Sequence, residues 1–245
     1  MAFVTLRFYE ELNDFLPPSQ RKRDIPLTFV PPAPVRHLIE TLGVPHTEVE
    51  LVLLNGESVG LEAPLADGDR LAIYPQFESL DVTPLLRIRP RPLRDPRFLA
   101  DAHLGRLAGY LRMLGFDTRY GGPGDDRELA ARAAQERRIL LTRDRALLMH
   151  RVVTHGCYVR EPLPRGQLEY LLQRLDLCRL IRPFTRCIRC NGVLQPVDKA
   201  LVLDRLPGGV RQCCHEFRQC GECGRVYWKG THYRRMLEMI RALCG

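Results

Sequence analysis

Three aspartates, Asp101, Asp126 and Asp144, each stand where a short apolar run gives way to a helical pattern. Asp101 follows Phe98–Ala100 and Asp144 follows Ile139–Thr142, so both are expected at the carboxyl ends of strands, the edge where open α/β sheets bind ligands. Asp126 precedes a helical stretch that begins on the same edge. Carboxylates gathered in this way repel one another unless a cation lies between them, and oxygen ligands favour Mg²⁺ or Mn²⁺. The pattern predicts a divalent metal site suited to in-line displacement at phosphorus.

Helix capping is the structural alternative for these aspartates. An Asp side chain accepts hydrogen bonds from the free amides at a helix start, and for any one of the three alone capping is the better interpretation. Three such residues converging on one edge favour a site. Arg143 and Arg145 flank the last of them and are candidate phosphate contacts, while Asp125 and Glu128 are weaker candidates for additional acids.

The charge is divided unevenly along the chain. Residues 1–80 hold 6 Lys and Arg against 12 Asp and Glu, a net charge of −6, whereas residues 81–245 hold 31 against 17, a net charge of +14. A polyanionic partner is therefore expected to meet the second half, although a solvated basic surface would have the same composition. No apolar run approaches the roughly 20 residues that cross a bilayer, and the amino terminus is charged too early for a signal peptide. These features predict a cytoplasmic protein with no membrane partner.

Four cysteines form two CxxC pairs, Cys187 with Cys190 and Cys220 with Cys223. Two such knuckles supply the four sulfur ligands of a tetrahedral structural zinc site, and a zinc ribbon accommodates hairpins in the 29 residues between the pairs. A redox pair or unliganded thiols are the alternatives. The nine cysteines of the chain indicate thiols or metal ligands rather than a disulfide framework. The remaining ones are competing ligands of lower rank or isolated residues: Cys213, Cys214, Cys157, Cys178 and Cys244.

Aromatic and basic residues alternate after the second cysteine pair, in RVYWKGTHYRRM. Rings can stack on unpaired bases while cations hold phosphates, so Trp228, Lys229, Arg234 and Arg235 are predicted to bind substrate. The structural alternative is that Tyr227 or Trp228 packs on the small core of the ribbon itself.

Hydrophobic period and turn residues divide the chain into four parts. Residues 1–80 predict two strands, a helix and two strands, the order of a β-grasp (ubiquitin-like) domain. Residues 81–96 are rich in Pro and Arg and are predicted to be a linker. Residues 97–182 alternate strands with helices, which predicts an α/β domain with a parallel sheet. Residues 183–245 would form the zinc ribbon and a closing helix.

The second half of the chain resembles a known nuclease family. Its similarity to the Mut-seven C-terminal ribonuclease family, a PIN-like group, is carried by FLADAHLGRLAGYLRMLGFDT, DDRELAARAAQERRILLTRDRALL and VTHGCYV. A β-grasp segment followed by this nuclease and a zinc ribbon is an arrangement of the same family. The resemblance implies a PIN-like fold and an RNA substrate, and it places Asp101, Asp126 and Asp144 on the acidic positions of that fold.

The first 80 residues also resemble the β-grasp sulfur carriers of thiamine and molybdopterin synthesis, in DFLPP, VRHLIETLGVP, LNGE and LADGDRLAIYP. Those carriers work through a C-terminal Gly-Gly, whereas this segment continues into Phe77, Glu78 and Ser79. A docking or regulatory role is therefore expected. Its negative charge also permits it to dock on the basic nuclease domain of the same chain and mask it.

The combined prediction is a metal-dependent endoribonuclease that hydrolyses RNA through an aspartate cluster, with Mg or Mn as the catalytic ion and zinc as a structural ion. The main alternative is a non-catalytic zinc-ribbon adaptor that binds RNA, in which the acids are only helix caps. A third hypothesis is an interaction protein of the sulfur-transfer system.

Overall fold

The computed structural model of the protein describes residues 1–75, 87–88, 95–122 and 124–244. Its contacts divide the chain into two compact units, one formed by Met1–Asp95 and Gly124–Tyr158, the other by Pro96–Pro123 and Val159–Gly245. Most of the predicted linker at 81–96 lies outside the described residues. No helix in the described part of the chain is long and apolar enough to cross a bilayer.

Strands and helices alternate over residues 98–197 and are grouped by type elsewhere in the described chain. The helices are α1 (Val35–Thr41), α2 (Gly105–Met113), α3 (Asp126–Gln135), α4 (Arg145–Leu148), α5 (Pro164–Arg174), α6 (Lys199–Val202), α7 (Gly208–Cys213) and α8 (Thr231–Cys244). The strands are β1 (Ala2–Phe8), β2 (Ile25–Phe29), β3 (Leu51–Leu54), β4 (Glu57–Val59), β5 (Asp69–Tyr74), β6 (Phe98–Ala100), β7 (Thr118–Tyr120), β8 (Ile139–Thr142), β9 (Gly156–Tyr158), β10 (Leu194–Val197), β11 (Phe217–Cys220) and β12 (Val226–Trp228).

The amino-terminal part of the first unit is a β-grasp sheet with the order β2-β1-β5-β3-β4. β1 pairs parallel with β5, and the other neighbours are antiparallel. Alternation in β1 buries Val4, Leu6 and Phe8 on one face, in the same core as the inward residues of α1. Asn55 and Gly56 have φ of 52° and 93°, the left-handed conformation that a two-residue hairpin turn needs between β3 and β4. The predicted β-grasp fold is confirmed.

Residues 124–158 complete the first unit and contact the β-grasp part directly. The β8 and β9 strands pair in parallel, and β9 packs against the short 3-10 helix His46–Glu48. His46 donates through Nε2 to the carbonyl of Val153 at 2.8 Å, and the Glu48 carboxylate accepts the amide of Tyr158 at 2.6 Å. His46 and Glu48 are 3% and 1% exposed, so both side chains that make these bonds are buried.

The second unit contains another parallel strand pair, β6 with β7, connected through α2. Helix α2 packs against α5, and α5 packs against α8. Leu107 and Leu111 of α2 are buried. The parallel pairing of β6 with β7 here, and of β8 with β9 in the first unit, confirms the predicted α/β fold class. The carboxyl-terminal strands form an antiparallel sheet in the order β10-β11-β12.

Cys178 and Cys244 form a disulfide, with Cα atoms 5.6 Å apart. The prediction that they are isolated thiols is wrong. Cys244 ends α8 and Cys178 begins the 3-10 turn that follows α5, so the bond ties the closing helix to the region after α5. The two residues lie 66 positions apart and belong to no motif, so only the packing of α8 against α5 brings them together.

Candidate active site and metal centre

Asp101 lies between β6 and the 3-10 helix Ala102–Leu104. The residues of β6 are completely buried, and the chain reaches a half-buried position at Asp101, where the strand ends. Its Oδ1 accepts a hydrogen bond from the amide of Ala102, so the carboxylate caps the short helix. The sequence therefore located both the strand end and the capping geometry correctly.

Asp126 is the first residue of α3, and its neighbour Asp125 is the cap. The Asp125 carboxylate accepts the amide of Arg127 at 3.0 Å. The capping interpretation that the sequence offered for Asp126 thus belongs to Asp125. Asp126 is exposed, and no described residue donates a hydrogen bond to its carboxylate. A negative charge in the first turn of a helix is favourable, so this position holds a carboxylate without local strain.

Asp144 caps α4 and is exposed to solvent. Its Oδ1 accepts the amides of Ala146 at 2.8 Å and Leu147 at 3.4 Å, while its own amide donates to the Thr142 hydroxyl at 2.9 Å. Both amides use the same oxygen, and a carboxylate has two. Capping therefore fixes the orientation of Asp144 and is compatible with binding a cation through Oδ2.

The three aspartates belong to two compact units. Asp126 and Asp144 lie in the first, where α3 packs against both α4 and β8, the elements that flank Asp144. Asp101 lies in the second unit. The meeting of all three carboxylates around one ion stays a prediction.

The two arginines beside Asp144 differ in their surroundings. Arg143 is exposed. Arg145 donates to the carbonyl of Phe15 at 3.2 Å, and its guanidinium carbon lies 5.0 Å from the centroid of the Phe15 ring and 5.5 Å from that of Tyr158. The guanidinium of Arg145 thus interacts with Phe15 and Tyr158 within the first unit. Arg143 is therefore the better placed of the two to contact a phosphate.

The four cysteines of the CxxC pairs form one cluster. Their sulfur atoms all lie within 4.8 Å of one another, with 3.6 Å between Cys187 and Cys223 and 3.4 Å between Cys190 and Cys220. Tetrahedral zinc with Zn–S bonds of about 2.3 Å needs sulfur atoms about 3.8 Å apart. The donor set and the spacing fit zinc, so these residues could bind a structural zinc ion as the sequence predicts.

The pKa values of two thiols in the cluster are shifted in opposite directions. Burial raises the pKa of Cys187, but the Tyr227 hydroxyl, whose oxygen lies 3.0 Å from the sulfur, and nearby donors outweigh burial and lower that pKa to about 6. Burial raises the pKa of Cys190 to about 12. Tyr227 is thereby identified as a hydrogen-bond partner of the cysteine cluster. From the sequence, its role was open between stacking on a base and packing in the ribbon.

Arg112 connects the first cysteine knuckle to α2, a role that the sequence did not indicate. It is a charged side chain that is only 8% exposed. Its guanidinium donates to the carbonyls of Thr118, Ile188 and Arg189 at 2.8, 3.1 and 3.1 Å. Asn191 adds an acceptor for the amide of Thr118 at 2.9 Å. These bonds join the ribbon to the α2–β7 region of the second unit.

The predicted substrate-binding residues near the carboxyl terminus fall into two groups. Trp228 is half-buried against the small core of the ribbon, as in the structural alternative. Lys229 pairs with the Glu216 carboxylate, which raises the pKa of the lysine. Arg234 and Arg235 are exposed in the first part of α8. Arg234 and Arg235 are therefore more accessible to a ligand than the half-buried Trp228 or the paired Lys229.

Residues 96–240 match the family model described as Mut7-C RNAse domain. The chain belongs to this family. Residues 1–81 match a second model, Mut7-C ubiquitin, which covers the β-grasp sheet. Both matches confirm the resemblance seen in the sequence. The Mut7-C RNAse match spans all three aspartates and all four clustered cysteines.

Two crystal structures resemble the amino-terminal part of the chain. One is small archaeal modifier protein 1 of Haloferax volcanii, with 21% identity and a TM-score of 0.26, over 31% of this chain and 100% of that chain. The other is SAMP1 from the same organism, with 17% identity and a TM-score of 0.26, over 32% and 100%. No curated protein matches the chain. The β-grasp assignment rests on the sheet order and on the match of residues 1–81.

Proposed function

We propose that this Mut7-C protein is a metal-dependent endoribonuclease in which Asp101, Asp126 and Asp144 are the catalytic acids. The observation that carries the proposal is the match of residues 96–240 to an RNAse domain family. The placement of the acids supports it, because Asp101 directly follows a buried strand, Asp144 lies two residues past the end of another, and Asp126 is exposed at a helix start. We also propose that the domain is PIN-like, as the family resemblance implies, and that the protein acts in the cytoplasm.

The chemistry of the donors agrees with this proposal. Three carboxylates offer hard oxygen ligands of the kind that Mg²⁺ and Mn²⁺ prefer. Such an ion, when bound, would activate water and balance charge on the phosphate. Asp144 is held in one orientation by the amides of α4, so little ordering remains to be done when a ligand arrives. Arg143 is exposed beside it and would contact the substrate phosphate.

The activity is tested with a circular single-stranded RNA, which an endonuclease can open and an exonuclease cannot. We expect the purified full chain, with zinc bound, to cut it after addition of Mn²⁺ or Mg²⁺ and to leave it intact after exchange into buffer without them. Gel electrophoresis measures the cleavage, and metal analysis checks that zinc is retained. Binding of the RNA without cleavage in Mn²⁺ would instead favour the adaptor function, with the acids serving only as caps.

We further propose that the acidic β-grasp domain docks on the basic nuclease sequence of the same chain. The contacts of His46 with Val153, of Glu48 with Tyr158 and of Arg145 with Phe15 support this within the first unit. The carboxylate of Glu62 adds charge complementarity, because it lies 3.8 Å from the guanidinium of Arg151.

Replacing Glu48 tests the docking. Glu48→Ala should lower the free energy of unfolding by about 2 kcal/mol, because it leaves the amide of Tyr158 without its acceptor at a buried position. Glu48→Gln keeps an acceptor oxygen and should cost less. Urea denaturation measures both, and hydrogen exchange should accelerate at Tyr158 in the alanine variant. Equal stability and equal exchange in the two variants would contradict the docking.

A further inference from the structure

A cleft opens on the zinc ribbon beside the second cysteine knuckle and the start of α8. Its volume is about 670 Å³, within the usual range of ligand sites. Its lining includes two arginines, two aromatic rings and three apolar side chains: Arg205, Arg225, Tyr227, Trp228, Ile188, Pro207 and Val226. The lining residues that the structure describes include no Asp or Glu. The cleft therefore combines positive charge with apolar surface.

Trp228 forms a rigid wall of this cleft. It lies opposite Phe217 in the β11–β12 pair and packs against a cluster that includes Val202 and Leu206. A Cβ atom at Gly230 would lie 3.0 Å from the indole Nε1, so the glycine lets the chain pass the edge of the ring. No residue in the described ranges accepts a hydrogen bond from the indole N–H. The ring is thus fixed in place while its polar edge remains available to a ligand.

The two arginines supply the charge. Arg205 donates from Nη2 to the carbonyl of Gly224, which holds its guanidinium beside the knuckle. A guanidinium has five N–H donors, so others remain for a bound anion. Arg225 is exposed at the rim of the same knuckle. One held guanidinium and a second arginine at the rim, beside an aromatic wall, match the two chemical parts of a nucleotide, its phosphate and its base.

We propose that this cleft binds an unpaired nucleotide of single-stranded RNA, with the base stacked on Trp228 and the phosphate held by Arg205 and Arg225. The inference rests on the proposed ribonuclease function and assigns part of its substrate site to the ribbon. An acidic peptide would satisfy the arginines but would leave the aromatic wall without a stacking partner. Duplex RNA presents no free base face. A single-stranded nucleic acid uses both features, and the match to an RNAse domain family favours RNA.

The fluorescence of Trp228 reports on the cleft directly, because Trp228 is the sole tryptophan in the sequence. The full chain carrying Asp144→Asn, with zinc bound and without Mg²⁺ or Mn²⁺, is titrated with a fluorescein-labelled oligouridylate of about ten nucleotides, in the range of known single-strand sites. We expect tryptophan emission to be quenched in parallel with the rise in fluorescein anisotropy. A blunt duplex of the same length should not quench it.

Two charge reversals separate local contact from overall charge. Arg225→Glu should weaken oligouridylate binding on the order of tenfold, whereas Arg241→Glu, with the same change in net charge, should have a small effect. Arg241 is exposed and lies about 14 Å along α8 from His232, which lines the cleft, and this exceeds the Debye length of about 8 Å at physiological salt. Arg225→Ala, with a smaller expected loss, serves if the reversal disturbs folding.

The outcomes distinguish this inference from the ribonuclease activity itself. RNA binding without a change in Trp228 emission, or equal affinity of the Arg225→Glu and Arg241→Glu variants, would overturn the cleft while the wild-type protein still cleaves RNA. Equally strong displacement of the oligouridylate by polyglutamate would overturn it in favour of an acidic peptide. Quenching by RNA together with an inactive wild-type protein would support the cleft and refute the nuclease.

Discussion

Replacement of Asp144 by Asn is expected to lower RNA cleavage by about 100-fold or more while the protein remains folded. Asn is as good a helix cap as Asp, so its side-chain oxygen can keep the hydrogen bonds with the amides of Ala146 and Leu147. The substitution removes the negative charge that a divalent ion requires. Initial rates of cleavage with saturating Mn²⁺ measure the effect, and circular dichroism and zinc content confirm the fold.

Asp198→Asn is the matched control for that substitution. Asp198 is also an exposed cap and accepts the amide of Ala200 at 2.9 Å, but it starts α6 and lies outside the proposed acidic set. Its variant should cleave at the wild-type rate. If both variants retain full activity, Asp144 is only a helix cap. If both lose activity equally, the loss comes from replacing a capping aspartate and not from removing a metal ligand.

Loss of one cysteine of the proposed zinc site is expected to have the second large effect, on stability. Cys223→Ser should abolish zinc binding and unfold the ribbon, because the binding free energy of structural zinc, about 10–16 kcal/mol in small zinc domains, contributes directly to folding. The small apolar clusters of the ribbon bury too few side chains to replace the free energy that zinc binding contributes. We expect zinc analysis to show less than one ion per chain and thermal unfolding to begin at a lower temperature.

Cys213→Ser controls for the loss of an exposed thiol. Cys213 and Cys223 are both exposed, but only Cys223 belongs to the four-sulfur cluster. The Cys213→Ser variant should therefore bind one zinc ion and melt as the wild-type protein does. Full zinc content in Cys223→Ser, or its loss in Cys213→Ser, would show that the ligands are a different set.

Much of the β-grasp domain was predictable because its signals are local. The alternation of Val4, Leu6 and Phe8 indicates a strand with one buried face, and Asn55 with Gly56 indicates a hairpin turn. Both features depend on residues close together in the chain. Order and type of the elements followed from these patterns, whereas the parallel pairing of β1 with β5 joins residues about 65 positions apart and needed the family resemblance or the structure.

The cap at α3 shows why the exact role of an acidic residue escapes a sequence pattern. Asp125 and Asp126 are adjacent and chemically identical, and either could begin a helix. The backbone decides, since only Asp125 has the extended conformation (φ −77°, ψ 131°) from which its carboxylate reaches the amide of Arg127. The same limit applies to Arg112, whose burial depends on carbonyl acceptors near position 118 and in the first cysteine knuckle.

The sequence by itself determined the family, the order of strands and helices in the β-grasp domain, the alternation of strands and helices after it and the two CxxC pairs, because each of these follows from short-range spacing of residue types. The tertiary structure alone decided the disulfide between Cys178 and Cys244, the hydrogen bond from Arg145 to the carbonyl of Phe15 and the cleft beside Trp228. These features join side chains that are far apart in the chain. Their contacts depend on how helices and strands pack, and packing geometry leaves no periodic trace in the sequence.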